Sequence, residues 1–271
     1  ISSISTGSSF AVGDIDRDGV DEIVVGSGPG KAASVSIYEQ DGQLVRKFSV
    51  FHGATFGVTV ALGNFSGKGA LDIVVAPRRG GGPQVLPYDV NGKQLSLGFF
   101  AYSKNFHGGV NLAAGDIDGD GTDEILTAPL TGGGPHVSFF RSNGTKLGDL
   151  FPFESTYRGG LSLAAVDITG DGKAEIAAVP LGGRITDVKI SNPFTRQVLV
   201  TAKPFANVRG GAELSIFQRN GVAELLASAG AGGGPQVVSI NPFTGGKGSV
   251  NVFPVPQAWR GGIVAKPITY T

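Results

Sequence analysis

Neither cysteine nor methionine occurs among the 271 residues. Without cysteine no disulfide can staple the fold, so stability has to come from packing and from bound metal. A chain that opens at Ile1 and holds no methionine reads as a processed or excised piece, with its targeting segment elsewhere. Charge is scarce and balanced, 22 basic residues against 22 acidic ones, which argues against a nucleic-acid partner. No apolar run reaches the ~18 residues of a membrane-spanning helix, so no membrane span is expected. Helical periodicity is missing throughout. His52, His107 and His136 have no zinc-ligand spacing, and no serine sits in a nucleophile elbow. The glycine-rich turns precede strands rather than helices, so they lack the dipole of a phosphate cradle. The expectation from these absences is a protein that is not an enzyme.

Glycine, by contrast, is abundant: 45 of 271 residues against an average of ~7%. No collagen period organises the glycines, so they mark turns. The most informative turn is Gly115-Asp116-Ile117-Asp118-Gly119-Asp120-Gly121-Thr122-Asp123-Glu124-Ile125. Aspartates at alternate positions of a tight loop aim several oxygens at one centre; they repel one another unless a cation sits there. In calcium-loop order Asp116, Asp118 and Asp120 take positions 1, 3 and 5. Gly121 bends the chain, the Thr122 carbonyl serves at 7, and Glu124 closes at 9.

Aligning the loop glycines gives Gly19, Gly69, Gly121, Gly172 and Gly221, a period near 51 residues over the whole chain. Within each period an apolar strand enters the loop and a second one leaves it, as Val58–Leu62 and Ile73–Val75 do. A glycine-rich turn follows, most regular as Gly80-Gly81-Gly82-Pro83 and Gly132-Gly133-Gly134-Pro135. An alternating third strand then reaches a turn such as Asp41-Gly42, Asn91-Gly92 or Asn143-Gly144, whose residues suit the positive φ of a two-residue hairpin. A fourth strand ends each unit. Four short antiparallel strands in each of five ~50-residue repeats predict an all-β, five-bladed β-propeller in a single domain. Its blades are placed at 8–56, 57–107, 108–158, 159–209 and 210–259, with 260–271 as an extra closing strand.

Phe56-Gly57 before the strand Val58–Leu62, and Asp72-Ile73-Val74-Val75-Ala76-Pro77 after the loop, resemble the FG-GAP repeat. That repeat is known from the propellers of integrin α-subunits and from bacterial surface proteins. The resemblance implies a propeller with calcium in some loops between first and second strands, and work in adhesion or recognition outside the cell. It names no ligand, because a fold does not fix a function.

Three loops carry the metal chemistry. The first offers Asp14, Asp16, Asp18, the Val20 carbonyl and Glu22; the third offers Asp116, Asp118, Asp120, the Thr122 carbonyl and Glu124. The fourth offers Asp167, Thr169, Asp171, the Lys173 carbonyl and Glu175, and its hydroxyl in place of a carboxylate predicts weaker binding. In the second loop Lys68 takes position 5, where its ammonium is expected to pair with Asp72 in place of a metal. In the fifth, Ile216, Gln218 and Asn220 leave only Glu224, so both of these loops are expected to be empty. Two to three structural Ca²⁺ ions are therefore anticipated. Loops of this kind need the millimolar calcium found outside cells, which favours a secreted or surface location.

The opposite end of the blades carries a second series: Phe106-His107-Gly108-Gly109, Tyr157-Arg158-Gly159-Gly160, Val208-Arg209-Gly210-Gly211 and Trp259-Arg260-Gly261-Gly262. One reading is a ring of His107, Arg158, Arg209 and Arg260, with Tyr157 and Trp259 beside it, that captures acidic glycans or a protein partner. The other is that each arginine packs on an aromatic and bonds carbonyls between blades. A propeller lectin, a polysaccharide lyase, and a fibre subunit that lends its terminal strand Ile263–Tyr270 are the further readings. Asn64-Phe65-Ser66 and Asn143-Gly144-Thr145 fit the glycosylation sequon, which matters only in a eukaryotic secretory host.

Overall fold

A computed structural model describes residues 7–205, 208–219, 222–258 and 261–267. Blade 1 runs β1 (Ser9–Gly13), β2 (Glu22–Gly26), β3 (Ser34–Tyr38) and β4 (Leu44–Ser49). Blade 2 runs β5 (Val58–Gly63), β6 (Asp72–Pro77), β7 (Gln84–Tyr88) and β8 (Phe99–Phe100). Blade 3 comprises β9 (Val110–Gly115), β10 (Glu124–Pro129), β11 (Val137–Phe140) and β12 (Lys146–Leu150). Blade 4 comprises β13 (Leu161–Val166), β14 (Glu175–Pro180), β15 (Val188–Ser191) and β16 (Val198–Ala202). Blade 5 has β17 (Ala212–Arg219), β18 (Val222–Ala229), β19 (Val237–Ile240) and β20 (Lys247–Val252). Every sheet pairs its strands in chain order, antiparallel throughout, as the repeat predicted.

The innermost strands β1, β5, β9, β13 and β17 surround an axial channel that includes a cavity of about 200 Å³. Their alternation sends every second residue into the gap between neighbouring blades. One apolar cluster joins blades 1 and 2 around Val24, Ile37, Val58 and Ile73, and another joins blades 2 and 3 around Val74, Val85, Ile125 and Phe140. A third fills the gap between blades 3 and 4 around Leu126, Phe139, Leu161 and Ile176. The fourth joins blades 4 and 5 around Ala177, Ile190, Leu214 and Leu225. Second strands are buried on both faces, so they read as continuous apolar runs such as Ile73–Ala76.

The Gly-Gly pairs lock blade to blade. Gly132 N–H donates to the Arg158 carbonyl (2.9 Å), and Gly183 N–H donates to the Arg209 carbonyl (3.1 Å). Gly211 lies at φ +75°, and a Cβ there would sit 2.1 Å from the Leu181 carbonyl carbon, so only glycine admits this approach.

Three expectations need correction. The hairpins at Gly42, Gly92 and Gly144 are not two-residue turns. Gly42 N–H donates to Glu39 O and Glu39 N–H to Gln43 O, a three-residue loop with one left-handed glycine and a bulge. The fifth unit does not form a loop of the expected length: Ile216 and Gln218 belong to β17 and pair with Leu225 and Ala223. Residues 261–267 form no strand; Ile263 N–H donates to Ala229 O, and Ala265 N–H donates to Ser228 Oγ. Trp259, Arg260 and the end of Ile263–Tyr270 lie outside the described residues.

Candidate metal centre

Each acidic loop connects the first and second strands of its blade. The register clamps it: the residue before position 1 pairs with the closing carboxylate, as Gly13 with Glu22, Gly115 with Glu124 and Val166 with Glu175. The backbone then turns twice through left-handed φ, at position 4 (Arg17 +70°, Gly119 +81°, Gly170 +75°) and at position 6 (Gly19 +90°, Gly121 +84°, Gly172 +81°). Arg17 bears this conformation without glycine's freedom. Its guanidinium reaches the Lys68 carbonyl of the next loop.

Position 1 organises the turn. Asp14 accepts the Arg17 amide (2.6 Å) and the Gly19 amide (3.0 Å). Asp116 likewise accepts Gly119 and Gly121, and Asp167 accepts Gly170 and Gly172. Burial raises the Asp167 carboxyl, but these amides and that of Thr169 outweigh it and hold it below the ordinary carboxylate range. Position 9 folds under the loop: Glu22, Glu124 and Glu175 are buried, and one oxygen of each accepts the amide of Ile15, Ile117 or Ile168.

The other oxygen sets the fourth loop apart. Glu22 Oε1 and Glu124 Oε1, like Asp72 Oδ2 of the second loop, are buried without a hydrogen-bond partner among the described residues. Burial, with smaller repulsion from neighbouring acids, raises both carboxyls, and Glu124 reaches about 7. Oxygens of Asp14, Asp16 and Asp18 converge within 4.8 Å of one another, and so do those of Asp116, Asp118 and Glu124. Asp167, Asp171 and Glu175 do not gather as closely. A buried carboxylate oxygen without a donor, facing further carboxylates, fits a hard cation with oxygen ligands. The residues of the first and third loops fit such an ion, and those of the fourth offer a looser set.

A residue overlooked in the sequence faces each of the first four loops. Seventeen positions after the closing acid stand Glu39, Asp89, Arg141 and Asn192, the first residues of the second hairpins. The Arg141 guanidinium reaches both Asp118 (2.5 Å) and Asp120, so the third loop carries its own cation. The Thr122 hydroxyl and then Arg141 pull Asp120 down to about 2. Asn192 bonds the Glu175 carboxylate, whereas Glu39 adds negative charge beside Glu22. The fixed spacing is visible in the sequence, but nothing in it says that the two turns meet in space.

In the second loop Asn64 takes over the turn by accepting the Gly69 amide. Asp72 is buried and raised by that burial, and Ser66, not Lys68, is its bonding partner. Lys68 forms no ion pair with Asp72, contrary to expectation, because the ammonium sits too far away and acts only as a weak field. The loops also bind each other: Asp123 Oδ2 accepts the Asn64 amide (2.8 Å), and the Ala174 amide donates to the Asp116 carbonyl (2.7 Å).

At the opposite end, Tyr157 is buried, with its hydroxyl 2.8 Å from the Gly160 and Gly182 carbonyls. Arg158 is exposed and bonds the Ser155 and Tyr157 carbonyls. Arg184 lies over the Phe153 ring at 4.5 Å and pairs with Glu154 and Asp187. His107 and Arg209 are exposed. Tyr157 is thus held by carbonyls at this end of the blades, and Arg184 by an aromatic ring and two acids.

The FG-GAP-like repeat family matches residues 116–178, and the FG-GAP repeat family matches residues 6–38. No curated protein sequence matches the chain. Among solved structures, the V. cholerae biofilm matrix protein Bap1 is similar at 18% identity and a TM-score of 0.42, over 72% of this chain and 28% of that one. The exotype rhamnogalacturonan lyase YesX is similar at 15% identity and a TM-score of 0.51, over 88% of this chain and 48% of that one. A rhamnogalacturonan lyase of Bacillus licheniformis aligns at 15% identity and 0.50, over 90% and 50%. The chain therefore spans half or less of these proteins' lengths, and at such identities the likeness is one of fold alone. The repeats matched at both positions and the five four-stranded blades give the same answer: the chain is a β-propeller of FG-GAP repeats.

Proposed function

We propose that the protein is an extracellular, calcium-stabilised propeller that serves as a non-catalytic recognition or scaffold module. The observation that carries this reading is the pair of buried, unpartnered oxygens, Glu22 Oε1 and Glu124 Oε1, each in a loop where three carboxylates converge. Asp14, Asp16, Asp18 and Glu22 would hold one ion, with the Val20 carbonyl completing the set. Asp116, Asp118, Asp120 and Glu124 would hold another with Thr122, after Arg141 withdraws. The fourth loop, Asp167 to Glu175, would fill last. Each ion neutralises acids that oppose folding, and binding only the folded state stabilises it by about 2.7 kcal/mol at a hundred times Kd. Cytosolic calcium would leave sites of this class empty, which supports a location outside the cell.

A second reading, recognition of acidic glycans at the glycine-rich end, draws on exposed His107 and Arg209. The structures similar to this one include two rhamnogalacturonan lyases, so that polysaccharide is a suitable first ligand to test. Binding without turnover would support the module reading, whereas turnover would replace it with catalysis. Melting curves with calcium and with excess EDTA test the metal: a fall in melting temperature on chelation is expected, and coincident curves would refute it.

A further inference from the structure

The inner strands repeat with a spacing of 51 residues at the glycine-rich mouth of the axial channel. Ser9, Val60, Asn111, Ser162, Glu213 and Val264 share one repeat position and all line a cavity of about 250 Å³. Two residues further on, Ala11, Leu62, Ala113, Ala164 and Ser215 are small or apolar, but the sixth member is Lys266. Residues 261–267 thus lay an ammonium on the axis where the five blades carry none. Arg78, from the turn after β6, lines the same cavity.

These charges are poorly matched to their surroundings. Lys266 is half-buried, and among the described residues its ammonium makes one hydrogen bond, to the Leu214 carbonyl at 3.2 Å. It has two further donors to satisfy. The Arg78 guanidinium has no ion pair or side-chain hydrogen bond among the described residues. Glu213 acts electrostatically on both cations but touches neither, since no ion pair within 4.0 Å links them. Burial lowers the proton affinity of Lys266 and Arg78, the direction expected of cations short of counter-charge. Both cations are half-buried and line one cavity without an acid in contact, so an anion bonded to both would gain two charge-assisted hydrogen bonds in a partly desolvated setting.

We infer that the axial cavity between Arg78, Lys266 and Glu213 is a binding site for a small hydroxylated carboxylate of the size of one sugar acid. Its carboxylate takes the Arg78 guanidinium and the Lys266 ammonium, which outnumber the single local acid. Its hydroxyls donate to Glu213, whose carboxylate has no hydrogen-bonded partner among the described residues. The cavity is smaller than the ~300–1,000 Å³ of drug-sized pockets, which limits the ligand to a single unit. The site lies at the opposite end from the acidic loops and does not depend on metal in them.

Glucuronate and glucose differ in the carboxylate and so make a matched pair of probes. Isothermal titration of the full chain in calcium should show glucuronate binding and no glucose binding. Arg78→Gln and Lys266→Met should each weaken glucuronate at least tenfold. Selective ¹³C-methylation of lysines gives a second readout on the unmutated chain, in which the Lys266 signal should move with glucuronate and not with glucose. No glucuronate heat, equal binding of glucose, unchanged affinity in both folded variants, or a stationary Lys266 signal would each overturn the proposal.

Discussion

Replacing Glu124 with glutamine separates the cost of a buried acid from its use as a ligand. Glu124 is fully buried, one oxygen accepts the Ile117 amide at 3.1 Å, and the other has no partner among the described residues. Burial raises the carboxyl from 4.5 to about 7. At about 1.36 kcal/mol per unit, holding it ionised in the metal-free fold costs about 3 kcal/mol at most. The sign follows from proton uptake. The folded state keeps its proton while the unfolded state loses it, so metal-free stability falls as pH rises from about 4.5 to 7 and stays low above that. Glu124→Gln keeps an acceptor for Ile117 and removes the charge, and its amide nitrogen can donate towards Asp118, which has an oxygen within 4.8 Å. In EDTA at pH 8 the variant should therefore melt higher than the parent, by several degrees at ~2–4 °C per kcal/mol. In millimolar calcium the order should reverse, because the parent gains a ligand that the variant lacks. Scanning calorimetry of both proteins in both buffers gives the four melting temperatures. A variant that melts lower in EDTA and gains as much from calcium as the parent would refute the reasoning.

Other perturbations test the rest of the construction. Arg141→Gln removes the guanidinium that occupies Asp118 and Asp120, so calcium affinity at the third loop should rise several-fold by titration; a fall would assign Arg141 to holding the loop in shape. Phe205→Ala empties a side chain 3% exposed in the core between blades 4 and 5, which should cost about 3–5 kcal/mol in denaturant unfolding. A loss below 1 kcal/mol would mean that this interface does not support the fold.

The blades were legible because the period is carried by residues with strict local demands. Left-handed glycines at loop position 6 and at the hairpins, and apolar second strands such as Ile73–Ala76, recur whatever the rest of the repeat does. The loop acids were legible for the same reason, since their spacing is local. What the sequence hid depends on contacts between segments. Arg141 acts on a loop 21 and 23 residues behind it, and Ser66 rather than Lys68 reaches Asp72. The fifth loop misled because Gly221 keeps the glycine in phase while β17 and β18 extend by pairing through Arg219 and Val222. A glycine in register marks a turn but not its length. The Gly-Gly pairs suggested a ligand ring, yet at Gly211 they answer a packing constraint that appears only once Leu181 of the preceding blade is in place.

Calorimetric titration of the metal-free chain with calcium tests the central claim most directly. Two or three ions should bind per chain, with one of them lost when Asp14 and Asp16 are both changed to asparagine. No binding heat up to about 10 mM calcium, beyond the weakest extracellular sites, would contradict it.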